Sequence, residues 1–100
     1  MAAMTYPIML KLPMGKKEGE LTIDDHGDGT FSGTFTILGS TADLQNCKVD
    51  EDGLYTADGE LTTILGTTDM QLEWRIVDGK IDGQGKNRMG RSFMKDLSLW

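Results

Sequence analysis

The stretch Thr68-Asp69-Met70-Gln71-Leu72-Glu73-Trp74-Arg75-Ile76-Val77-Asp78-Gly79 decides the fold. Thr68, Met70, Leu72, Trp74 and Ile76 fall on one side of an extended chain, and Asp69, Gln71, Glu73 and Arg75 on the other. Successive side chains of a strand point to opposite faces, so a period of two marks a half-buried β-strand. Asp78-Gly79 then closes it with a dipeptide suited to a tight hairpin, because Gly accepts the positive φ such turns need.

The same grammar recurs outward in both directions. Asp-Gly stands at Asp28-Gly29, Asp52-Gly53 and Asp78-Gly79, spaced 24 and 26 residues apart. Between these fall apolar-Gly pairs, Met14-Gly15, Leu38-Gly39, Leu65-Gly66 and Met89-Gly90, at intervals of 24, 27 and 24. Seven turns thus separate eight runs, near residues 4–12, 17–24, 30–38, 41–49, 54–63, 67–77, 80–87 and 91–99. Tyr6, Ile8, Leu10 and Leu12 form one apolar face; Phe31, Gly33, Phe35 and Ile37 form another. No run carries a 3.6-residue apolar period, so almost no helix is expected. Every link is a hairpin, which favours an all-β, eight-stranded antiparallel up-and-down barrel over Greek-key crossings. Closing the last strand on the first leaves no open edge. Gly19, Gly33, Gly59, Gly83 and Gly85 fall on the inner face, where bent strands tolerate them.

One hundred residues make one domain, 1–100. Net charge is −6, which disfavours nucleic acid and anionic membrane as partners. The longest apolar run, Ile8-Met9-Leu10, is far short of the ~20 residues of a membrane helix. Met1 to Leu10 lacks a basic segment followed by a long apolar one, so no secretory leader is expected. With Cys47 as the sole cysteine, no intrachain disulfide can form, and a cytoplasmic location is expected.

The units Pro13-Met14-Gly15, Asp28-Gly29-Thr30-Phe31-Ser32-Gly33 and Asp78-Gly79-Lys80-Ile81-Asp82-Gly83 make the chain resemble the calycin-like barrels, the avidin and lipocalin architecture. It also resembles small Gly-rich bacterial barrels of unknown role. The resemblance covers residues 4–100 and is one of repeat and topology. The lipocalin Gly-x-Trp of the first strand is absent, Trp74 and Trp100 lying elsewhere. It implies the fold and permits ligand binding without assigning a site.

In a meander, alternate turns lie at opposite ends. Asp24, Asp25, Asp28, Asp50, Glu51, Asp52 and Asp78 collect on one rim. Closure sets Lys16 and Lys17 beside Arg88 and Arg91 on the other, with Lys86 nearby. This basic mouth suits a carboxylate or phosphate head group, since the Arg fork binds such groups bidentately. The inner face also takes Leu21, Ile23, Leu44, Tyr55, Leu61, Ile81, Phe93, Leu97 and Leu99. Inner Gly and Ala beside Trp74 point to a small cavity there, with Asn46 and Tyr55 as polar contacts. In the fourth run, Ala42, Leu44 and Asn46 compete with Cys47 and Val49 for the inner face, which a bulge would settle.

No metal site is expected, because Asp24-Asp25-His26-Gly27-Asp28-Gly29 lacks the calcium-loop spacing. No cofactor motif or catalytic order of residues is present. Cys47 and His26 share one end of the molecule, which leaves a thiol and base pair open. The preferred expectation is a non-catalytic barrel binding a small apolar or anionic-headed metabolite through Lys16, Lys17, Arg88, Arg91, Trp74, Tyr55 and Asn46. The rivals are an assembly module with a filled barrel, forming a homodimer through Pro7, Met9, Val49 and Met94 of the outer wall, and an isomerase- or lyase-like enzyme.

Overall fold

The computed structural model describes residues 3–12, 15–37, 39–63, 66–87 and 90–99. It is a nearly closed antiparallel β-barrel. Its strands are β1 (Met4–Leu12), β2 (Gly15–Asp25), β3 (Phe31–Ile37), β4 (Ser40–Asp43), β5 (Gln45–Val49), β6 (Tyr55–Thr63), β7 (Gly66–Val77), β8 (Lys80–Asn87) and β9 (Gly90–Asp96). They pair in the order β4-β3-β2-β1-β9-β8-β7-β6-β5. The first and last strands pair, Ile8 with Asp96 and Leu10 with Met94, so the expected closure of one on the other is present. The Asp78-Gly79 turn has φ of 53° and 76°, the two positive values a type I′ hairpin requires.

Strand count corrects the eight-stranded expectation to nine, because the fourth run breaks in two. Leu44 lies between β4 and β5, and Asn46 has a φ of 53° at a register shift between Gln45 and Lys48. The bulge reverses the phase of the run. Ala42 and Leu44 face the core before it, Cys47 and Val49 after it, and Asn46 is exposed. β4 and β5 are the two ends of the sheet order and the two halves of one run, so this bend closes the barrel. Leu44 N donates to Gly33 O and Val49 N to Gly29 O, both at 2.9 Å, and Thr30 bridges to Lys48.

Two further corrections concern the last run. Phe93 is 51% exposed, whereas Met94, expected on the outer wall, is fully buried with Ser92 beside it on the inner face. Register fixes this phase: Met94 lies opposite Leu10 on β1 and Gly83 on β8, both inner positions. Strand β9 also stops at Asp96, and Leu97–Leu99 form a turn of 3-10 helix with both leucines exposed. Asp96 Oδ1 accepts from Ser98 N at 2.9 Å and from Ser98 Oγ at 2.8 Å, a local turn that competes with the ladder. Val49, opposite the inward Tyr55, belongs to the inner face rather than the outer wall.

The core fills the barrel with Ile8, Leu10, Leu21, Ile23, Phe31, Phe35, Ile37, Leu44, Ala57, Met70, Leu72, Trp74, Ile81 and Met94, and half-buried Ala42 and Cys47 of β4 and β5 pack against it. The inner glycines serve close approach. A Cβ on Gly33 would meet Leu44 Cδ1 at 3.3 Å, and one on Gly85 would meet Leu72 Cδ2 and Met70 Cε at 3.2 Å. Space that the sequence offers to a ligand is thus taken up by Leu72, Met70 and Leu44 at Gly85, Gly33 and Gly59, and beside Trp74 by the rings of Tyr55 and Phe31. Leu12, Leu61 and Thr68 have side chains outside the described set, as do Met14, Leu38, Leu65, Met89 and Trp100 entirely.

Candidate ligand groove on the outer wall

The expected site residues separate into distinct places. Tyr55 and Trp74 meet inside. Their rings stack at 5.7 Å and 6°, and Phe31 packs edge-on at 5.3 Å from Tyr55 and 5.6 Å from Trp74. Tyr55 Oη donates to Asp25 Oδ2 at 3.1 Å at the barrel end. Asn46 is not with them; it points outward and its Nδ2 donates to Asp58 Oδ2 at 2.8 Å. Lys16 is exposed on the outside of β2, and Lys17 sits half-buried opposite Leu10. Arg91 is exposed on β9 and lines the outer wall, not the lumen. Arg88 lies outside the described residues, with the tips of the first and last hairpins.

Burial, and then the hydrogen bond to Asp25, push the Tyr55 phenol above its usual pKa of 10.0. A raised folded pKa means the neutral phenol is favoured by folding. Its contribution is complete below pH ~10 and is lost as pH climbs through the raised value. Urea unfolding of the wild type is therefore expected to weaken more steeply above pH ~10 than that of Tyr55→Phe. Identical pH slopes for the two proteins would refute this role for the pair.

The remaining geometry gathers on the outside of β5–β9. Two parallel rows of outward side chains run across the strands. One is Arg91, Lys86, Gln71 and Asp58, each opposite the next; the other is Gln84, Glu73, Thr56 and Lys48, paired the same way. Barrels built of twisted strands are hyperboloid, narrow at the waist and so concave along the axis from outside. Between the rows lies a groove of about 450 Å³, with Asn46 at its β5 end. A second depression of about 490 Å³, lined by Gln45, Glu60, Asp69 and Asn87 among others, continues it towards the barrel end.

Charge in the groove is divided unevenly. Its two carboxylates are engaged by amides, Asp58 by Asn46 and Glu73 by Gln84 Nε2. Among the described residues, Lys48, Lys86 and Arg91 have no ion pair. Lys86 and Arg91 stand directly opposite on adjacent strands. Like charges so placed destabilise a sheet by a few tenths of a kcal/mol. The groove therefore presents unneutralised cations, with Gln71, Gln84 and Thr56 as hydrogen-bonding neighbours.

At the acidic end, His26 is committed to its own turn. The Thr30 hydroxyl donates to Asp28 Oδ1, so its oxygen accepts from His26 Nδ1 at 3.1 Å, and Nε2 lies 3.3 Å from Ser32 Oγ. Cys47 is half-buried, and burial followed by the nearby Asp58 charge raises its thiol pKa. That is the reverse of what an activated nucleophile needs. Among the described residues no group of three or more His, Cys, Asp or Glu side chains is arranged to hold a metal ion, and no helix is long and apolar enough to cross a membrane.

The fold and groove define a class: an all-β antiparallel barrel with a filled core and a polar groove on its wall. No protein-family model matches the chain, and no curated protein or solved structure matches it significantly.

Proposed function

We propose that this calycin-like barrel is a non-catalytic binding protein for a small organic anion, held on the outer wall by Lys48, Lys86 and Arg91. The observation that carries the reading is the opposed pair Lys86 and Arg91, two cations set face to face without a counter-ion among the described residues. A carboxylate or phosphate bridging them removes their repulsion and gains charge-assisted hydrogen bonds. The filled core supports a wall site over a lumen site. The single cysteine, which leaves no intrachain disulfide to form, supports a reducing, cytoplasmic setting.

Lys86→Gln is the decisive variant, because two effects of opposite sign are expected. It should stabilise the fold by a few tenths of a kcal/mol through relief of the like-charge pair. It should also weaken binding of citrate or inorganic phosphate, followed by calorimetry, and Lys86→Glu with Arg91→Glu should weaken it at least about tenfold. Unchanged affinity in the double variant, or no anion binding by the wild type at low salt, would remove the groove from consideration.

A further inference from the structure

We infer that the anion taken up by the groove is a nucleotide, its phosphate on Lys86 and Arg91 and its base against Phe93. The inference rests on the reading of the groove as an anion site and names the rest of the ligand. Phe93 is 51% exposed on the outer wall of β9. Arg91 and Lys95 stand two residues to either side on the same face of that strand, and Lys11 stands opposite on β1. Lys95 Nζ lies over the ring, 5.7 Å from its centroid, which leaves the other face to a ligand. An aromatic ring set among cations is ill suited to an apolar protein or lipid surface, because covering it buries those charges. It suits a flat ring that carries negative charge, which gains stacking on the Phe and charge-assisted contacts to Lys and Arg together.

A depression of about 320 Å³ continues from the groove to this ring. Glu73 and Gln84 line both, whereas Phe93, Arg75 and Asp82 line the depression and not the groove. Phe93 stands opposite Gln84 in one row, and Arg91 opposite Lys86 in the next. The rows are two residues apart along the strands, about 7 Å, a step that one ribose spans between base and phosphate. The two ends also differ in chemistry. The groove end offers Lys86 and Arg91, which only donate, as a phosphate needs. The depression offers Arg75 directly opposite Asp82, donors beside acceptors, as the edge of a nucleobase needs. The net charge of −6 decides between a free nucleotide and a nucleic-acid strand. Each further phosphate of a strand adds repulsion from the acidic chain as a whole, whereas a single nucleotide meets the local cations.

Calorimetric titration of the full chain at low salt with AMP, ribose phosphate and a short oligodeoxyadenylate tests this, with circular dichroism confirming that each variant is folded. AMP is expected to bind at least about fivefold more tightly than ribose phosphate, the lower end of what stacking a base on an aromatic side chain contributes. Phe93→Ala, at a half-exposed position outside the core, should abolish that advantage, and Phe93→Tyr should keep it. Lys86→Gln should weaken both ligands together and leave their ratio intact. Ribose phosphate binding with no advantage for AMP, or an advantage that survives Phe93→Ala, would overturn the nucleotide and leave the anion site standing. No binding of either phosphate would overturn both. An oligodeoxyadenylate more than about tenfold tighter than AMP would overturn the assignment to a free nucleotide.

Discussion

Replacing Trp74 with alanine is expected to cost about 3–5 kcal/mol and to lower Tm by at least about 12 °C. Trp74 is 1% exposed at the centre of the barrel. It stacks flat on Tyr55 and takes the edge of Phe31, contacts that add to simple area burial. Of its two cross-strand neighbours, Gly83 on β8 has no side chain to move into the vacated volume, while Tyr55 on β6 loses its stacking partner. A domain of this size has only ~5–15 kcal/mol in total, so the alanine variant sits near the edge of folding. Trp74→Phe is expected to cost less than half as much. Its ring keeps most of the packing and removes the buried Nε1, which has no hydrogen-bond partner among the described residues. An unsatisfied buried N–H costs ~1–3 kcal/mol, and its loss offsets the missing ring volume. Urea unfolding followed by far-ultraviolet circular dichroism measures both. Equal losses for the two variants, or a loss below ~1 kcal/mol for alanine, would refute this account of the core.

The barrel was legible because its signals are local. Alternation in Met70 to Ile76 and the positive-φ demand of Asp78-Gly79 act over a few residues, and the structure realises them as β7 and its hairpin. Errors arose where register, not periodicity, sets the phase. Asn87 pairs with Gly90, which places Gly83 opposite Met94 and sends Phe93 outward. Counting pairs back from that turn reaches this result from sequence alone, whereas apolar content favours Phe93 over Met94. The same counting aligns Gln71 with Lys86 and Lys86 with Arg91, and so finds one row of the groove. Asn46 was misplaced for a different reason. The competing phases of Ala42, Leu44 and Asn46 against Cys47 and Val49 signal a bulge, but which residue takes the positive φ and turns outward depends on the tertiary bend that closes β4 and β5 around the barrel. The 3-10 turn at Leu97–Leu99 was hidden because two leucines at alternate positions look like strand, while the Asp96 side chain captures Ser98 instead.

Alanine at the inner glycines is expected to produce a graded series, Gly83 far worse than Gly85 and Gly59 harmless. On Gly83 a Cβ would fall inside van der Waals contact of Glu73 O and Trp74 Cβ, and only 2.6 Å from Trp74 Cα. Backbone and a buried ring cannot both give way, so β7 and β8 must part, at a cost of about 3 kcal/mol or more. On Gly85 the new methyl meets Leu72 Cδ2 and Met70 Cε at 3.2 Å. Those are the far ends of flexible side chains, which limits the loss to about 1 kcal/mol. On Gly59 the nearest atom is Leu44 Cδ2 at 3.6 Å, an ordinary contact. There the reduced entropy of the unfolded chain makes a gain of about 0.4–1 kcal/mol the expected outcome. Gly83 also sits beside Gln84 on the strand that carries Lys86 to the groove. Parting β7 from β8 breaks the register that sets Gln71 against Lys86, so Gly83→Ala should weaken anion binding as well as stability, while Gly59→Ala leaves binding intact. Chemical denaturation and anion titration of the three variants decide the matter. A Gly83→Ala protein within ~1 kcal/mol of wild type would show that the tight coil of β8 on β7 does not shape this wall.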